Sequence, residues 1–192
     1  MVLFPSPAPA IVADRILAVV NREVIALSDA QKYREVFLEK RDADDADALK
    51  ELIDQALLLA EARKLEILPP SDDEIARVYK KLRLRFGRPE TFDLLKTRLA
   101  LTDDEIEEQI KRQLLIHKLI EQRIHFFVFV TPEEIEAYYQ DHPGEFKNQT
   151  PEEARKAIQE IRTAEKAQLK LKDYLDRLRA KANIRINHPL PE

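Results

Sequence analysis

Ile16-Leu-Ala-Val-Val20 and Val24-Ile-Ala-Leu27 flank Asn21-Arg22-Glu23, and Ser28-Asp-Ala-Gln31 follows directly. Two short apolar runs rich in β-branched residues around an Asn-led turn predict a β-hairpin. The turn is imperfect, because Arg22 stands where glycine would accept a positive φ with less strain. Ser28 followed three residues later by Gln31 fits a capping box, in which the hydroxyl accepts from a backbone N–H and the amide reaches back. The hairpin therefore gives way at once to a helix.

Working outward, helix starts recur. Ser71-Asp-Asp-Glu74, Thr102-Asp-Asp-Glu105, Thr131-Pro-Glu-Glu134 and Thr150-Pro-Glu-Glu153 repeat the capping pattern. The last two add proline at the first helical position, where its missing donor is harmless. Pro69-Pro70 closes one helix before Ser71 opens the next, and Arg88-Pro89 separates a helix ending near Phe86 from one running to about Ala100. Leu49, Leu52, Ile53, Ala56, Leu57 and Ala60 recur at helical spacing as a core-facing stripe. Between Ile106 and Ile124 the stripe widens through Leu114, Leu115, Ile116, Leu119 and Ile120, as in a central helix touched on more than one side.

Pro151 to about Ala182 reads as one long helix. Ala154, Ala157, Ile161, Ala164, Gln168, Leu171, Leu175, Leu178 and Ala182 alternate steps of three and four, which is heptad spacing with several small or polar positions. Such a seam serves either a helix packed along its own domain or a dimeric coiled coil, so a homodimer stays open. Asn183-Ile-Arg-Ile-Asn187 alternates like an edge strand and is expected to join the hairpin. The expected fold is mainly α: a helical core, a small N-terminal hairpin joined by a C-terminal strand, and a long C-terminal helix. Residues 1–11, with three prolines and two alanines among the first ten, read as a flexible leader and not as an intact signal peptide. Residues 12–130 form the hairpin and helical core, and 131–192 complete the same domain.

Chemistry is sparse. The chain has no cysteine, two glycines, 35% charged residues and a formal charge of -4. Thiol nucleophiles, thiolate metal sites and phosphate-cradling glycine loops are thereby excluded, and a broad basic face for nucleic acid is not expected. Ser28 and Ser71 are explained by capping, so covalent catalysis has no candidate. His117, His125, His142 and His188 fall in no metal-binding spacing, so no metal and no catalytic residue is expected. No apolar run has the length of a membrane span. Lys80-Lys-Leu-Arg-Leu-Arg-Phe-Gly-Arg88 is the one local cationic cluster, a solvated helix face or a grip for an acidic partner. Phe126-Phe-Val-Phe-Val130 either enters the core or lines a groove.

Val12-Ala-Asp-Arg-Ile-Leu-Ala-Val-Val-Asn-Arg-Glu-Val-Ile-Ala-Leu-Ser-Asp29 resembles the opening of the SurA-type periplasmic chaperones, with their trigger-factor-like peptide-binding N-terminal region. Leu52 to Leu58 and Leu65 to Ile75 are similar to that family's second helix and the cap into its third. Val130-Thr-Pro-Glu-Glu-Ile-Glu-Ala-Tyr-Tyr139 with His142-Pro-Gly-Glu-Phe146 resembles the linker that leads into a parvulin-type isomerase domain. Leu175 to Ile186 looks like the closing helix and strand. Arg22 departs from the glycine common in the family's turn, and the interval after Phe146 is too short for a parvulin domain. The resemblance implies an ATP-independent periplasmic chaperone without isomerase activity or cofactor. Its partners would be unfolded or extended outer-membrane or secreted chains. The alternative is an adapter for one folded envelope protein. Candidate client-binding residues are Phe86, Phe92, Phe126, Phe127 and Phe129.

Overall fold

A computed structural model describes residues 14–38, 42–142 and 144–187. The expected leader over residues 1–11 and His188 lie outside them. Among the described residues are three strands and seven α-helices: β1 (Ile16–Val20), β2 (Glu23–Ala26), α1 (Leu27–Val36), α2 (Asp45–Lys64), α3 (Asp72–Arg85), α4 (Pro89–Arg98), α5 (Asp103–Arg123), α6 (Pro132–Asp141), α7 (Pro151–Lys181) and β3 (Ile184–Ile186). The fold is mainly helical, with the hairpin joined by the C-terminal strand, as the sequence predicts. The chain divides into two compact units, Met1–Ile53 with Asn183–Glu192, and Asp54–Ala182.

In the first unit the sheet order is β2-β1-β3, with β1 antiparallel to both neighbours. Val20 pairs with Glu23 across the turn. Asn21 takes the left-handed conformation at φ 56°, while Arg22 stays outside it, so the missing glycine is not needed. Asn21 also binds the returning chain: its N–H donates to Asn183 O at 2.7 Å, and its Oδ1 accepts from Asn183 N at 3.0 Å. Leu17, Ala18, Val20, Ile25, Ala30, Tyr33 and Val36 are buried.

The Ser28 cap is corrected. Helix α1 begins at Leu27 with Ala26 as its N-cap, and the Asp29 carboxylate accepts from Ala26 N at 2.9 Å. Ser28 instead directs its N–H and hydroxyl to Asp14, whose carboxyl is lowered first by that hydroxyl. The competing acceptor comes from the segment just before β1, which spacing within the helix does not reveal.

The second unit follows its caps closely. Ser71, Thr102, Thr131 and Thr150 each accept from the backbone N–H three residues on, and the facing glutamates accept from the cap N–H at 2.8–2.9 Å. Leu58, Leu59 and Ala62 of α2, Ile116 and Leu119 of α5, and Leu171, Tyr174, Leu175 and Leu178 of α7 form a three-helix core. Because α2 is enclosed here by two helices, Leu58 and Leu59 are buried as well as Ala56 and Leu57, whereas Ala60 of the expected stripe is exposed. Phe146, Ala154 and Ile158 make a second cluster with Ile135 and Tyr138 of α6.

Helix α7 packs along its own unit. Its seam differs from the heptad reading: Ala167 is buried, while Ala164 and Gln168 are exposed. Short side chains near the middle of the helix make the two neighbouring stripes indistinguishable by hydrophobicity alone.

Candidate functional site

The run Phe126–Val130 is where the helical pattern fails, and the backbone shows why. Helix α5 closes with Ile124 N donating to Ile120 O at 2.8 Å. A single 3₁₀ turn, His125–Phe127, follows and is closed by Val128 N to His125 O at 3.0 Å. The chain leaves it extended at Val128, with φ -101° and ψ 118°. A tight turn followed by extended chain alternates the side chains inward and outward. The two aliphatic residues, Ile124 and Val128, pack inward with Ala167 of α7. The three aromatic residues turn out: Phe126 is 71% exposed, Phe127 52% and Phe129 73%. The run is thus neither a strand nor a core segment. Phe126 and Phe127 meet edge to face at 5.2 Å between centroids.

A side-chain clamp holds this segment. Lys166 Nζ donates to Phe129 O at 2.8 Å and to Glu134 Oε2 at 2.6 Å. The same carboxylate caps α6 through Thr131 N. Lys166 first and Thr131 N second hold the Glu134 carboxyl below its usual range.

Beside Phe127 lies an open concavity of about 490 Å³, lined by Glu61, Arg123, Ile124, Phe127, Lys170, Asp173, Tyr174 and Arg177. Tyr174 is half-buried, and desolvation first, then the Glu61 carboxylate, raises its phenol. Arg177 lies over the Tyr174 ring at 5.7 Å. Among the described residues, Arg123, Lys170 and Arg177 take part in no salt bridge, while Glu61 reaches Lys64 at 3.4 Å.

The five candidate phenylalanines do not form one surface. Phe92 is fully buried, packed edge-on against Tyr79 at 6.1 Å and against half-buried Phe86 at 5.1 Å. The Tyr79 hydroxyl donates to Asp103, the first residue of α5. Phe126 follows the other end of that 21-residue helix, so α5, roughly 30 Å long, separates the two groups. Phe92 supports Phe86 from beneath and offers no surface of its own in this conformation. Missing from the expected site are Lys170, Asp173, Tyr174 and Arg177. Their i, i+3, i+4, i+7 spacing is legible, but nothing in it tells that Arg123 and Phe127 lie opposite.

The basic stretch 80–88 lies on α3 and its C-terminal cap, with Leu82 buried, Arg83 3.8 Å from Asp93 and Arg85 over the Phe86 ring at 5.4 Å. His117 lies 4.0 Å from Glu121, and His142 stacks on Tyr138. No group of three or more His, Asp or Glu side chains among the described residues is placed to hold a metal ion. No described helix is long and apolar enough to cross a membrane.

No family model and no curated protein matches the chain. Among solved structures it is similar to a chain from the work on the virulence factor PEB4 and the periplasmic protein Cj1289, two structurally related SurA-like chaperones of the human pathogen Campylobacter jejuni. The TM-score is 0.55 at 16% sequence identity, over 91% of this chain and 100% of that one. Element order, the β2-β1-β3 sheet and this likeness together establish that the chain has the fold of the SurA-like chaperones.

Proposed function

We propose that this chain is an ATP-independent periplasmic chaperone that holds unfolded or extended polypeptides, outer-membrane or secreted chains among them, on the surface formed by Phe126, Phe127 and Phe129. The observation that carries the reading is their outward orientation beside Ile124 and Val128, which are buried. Burying a phenylalanine side chain is worth roughly 1.5–3 kcal/mol, so three left in water favour any partner that covers them. Contiguous exposed apolar surface of this kind marks an interaction site. Binding of this sort needs no nucleotide or cofactor, and ordering a flexible client keeps the affinity modest. Phe86 offers a smaller, half-buried contact at the other end of α5. The interval between Phe146 and β3 is largely taken up by α7, which supports a function without prolyl isomerase chemistry.

The protein contains no tryptophan, so client tryptophan emission can be followed without background. Titration into several dilute unfolded outer-membrane proteins is expected to give a saturable spectral change with suppressed light scattering. The Phe126→Ser, Phe127→Ser, Phe129→Ser triple variant is expected to bind about tenfold more weakly or worse, with little loss of stability because the side chains are exposed. Unaltered binding by that variant would remove the phenylalanines from the site. No change with any client would favour the second reading, an adapter for one folded envelope protein presented through the exposed face of α7.

A further inference from the structure

The concavity beside Phe127 is charged, with three cations and two carboxylates in its wall. Lys170, Asp173, Tyr174 and Arg177 share one stripe of α7, and Arg123 closes the opposite wall from the end of α5. The three cations lack salt-bridge partners among the described residues. Two carboxylates, Glu61 and Asp173, stand against the three cations in the wall, and Glu61 also reaches Lys64. Some other cations of α7 do have partners: Lys166 with Glu134, Lys172 with Asp176, and Arg179 with Asp54. Three cations without a salt bridge thus share one wall with Tyr174 and Phe127.

We infer that this concavity selects, within the clients of the phenylalanine surface, segments in which a carboxylate lies next to an aromatic side chain. The inference rests on the client-binding reading and adds a preference to it. An aromatic ring entering beside Phe127 and Tyr174 would place an adjacent Glu, Asp or chain-terminal carboxylate among Arg123, Lys170 and Arg177. Each such exposed pair is weak, and it weakens further with salt.

The test uses two short fluorescent peptides, one carrying two phenylalanines and two glutamates, the other with glutamine for glutamate, in anisotropy titrations with the whole chain. The acidic peptide is expected to bind about fivefold more tightly at low ionic strength, the worth of one or two exposed ion pairs. That preference should shrink in high salt and disappear in the Arg123→Gln, Lys170→Gln double variant. Equal binding of the two peptides, or a preference that survives the double variant, overturns the inference while leaving client binding intact. Tighter binding of a single-stranded oligothymidylate than of either peptide overturns it as well. Failure of both peptides to bind removes the client-binding reading and this preference together.

Discussion

Among the described residues, left-handed backbone is carried by Gly87, at φ 78°, and by three residues other than glycine, since the chain has only two glycines. Asn21, Glu66 and Ala100 adopt φ of 56°, 52° and 48°. At Asn21 the strain is offset locally by the hydrogen bonds to Asn183. Glu66 and Ala100 end α2 and α4, where Ile67 N reaches back to Ala62 O at 3.0 Å and Leu101 N to Lys96 O at 2.9 Å. A left-handed alanine carries a penalty of roughly 1 kcal/mol that glycine avoids. Ala100→Gly is accordingly expected to stabilise the protein by about 0.5–1 kcal/mol in urea denaturation. A destabilised variant would mean that the Ala100 methyl packs more than its position suggests. The sequence marked the strained turn at Arg22, but the strain sits at Asn21, because an Asn side chain tolerates that conformation and here also finds a partner.

At the scale of elements, four of the five capping boxes were legible as written, because a cap uses partners three residues apart and needs nothing from the rest of the fold. Ser28 was misread because Asp14, fourteen residues away, claims its hydroxyl. The same distinction governs α7. Ala167 is 6% exposed and packs with Ile124 and Val128 beneath the phenylalanine surface, while its neighbour Gln168 faces solvent. Ala167→Leu is expected to overpack this cluster and destabilise the protein by about 1–3 kcal/mol, whereas Gln168→Ala should stay within about 0.5 kcal/mol. Equal effects in parallel denaturation curves would restore the heptad seam that the spacing suggests. The outward turn of Phe126, Phe127 and Phe129 belongs to this scale too. An apolar run of five either enters the core or lines a groove, and here one 3₁₀ turn and the Lys166 clamp leave Val128 buried and the three phenylalanines exposed.

For the whole molecule, carboxylates tie the described helices to their caps and to one another, and this sets the response to acid. Ser71 N first, then Lys118, lowers Glu74 from 4.5 to about 2. Glu134 is lowered by Lys166, Glu153 by the Thr150 backbone, and Asp103 by Lys96 and Tyr79. A carboxylate with a depressed native pKa contributes stability that is complete above its unfolded value and is lost as pH falls through the native one. The melting temperature is therefore expected to stay level from pH 7 to about 5, then fall steadily as pH drops from about 4.5 toward 2. Glu74→Gln should flatten part of that fall, and a decline already complete above pH 5 would contradict the assignment. What the sequence by itself determined was local: the hairpin, helix starts and stops, the closing strand, and the absence of thiol chemistry. Each rests on hydrogen bonds or periodicity within a few residues. What only the tertiary structure decided was which side chains of similar hydrophobicity face inward. It buried Phe92 and exposed Phe126, Phe127 and Phe129, and it brought Arg123 opposite Lys170 and Arg177. Those outcomes depend on how α5 and α7 pack, and spacing along one helix carries no information about the residues that pack against it.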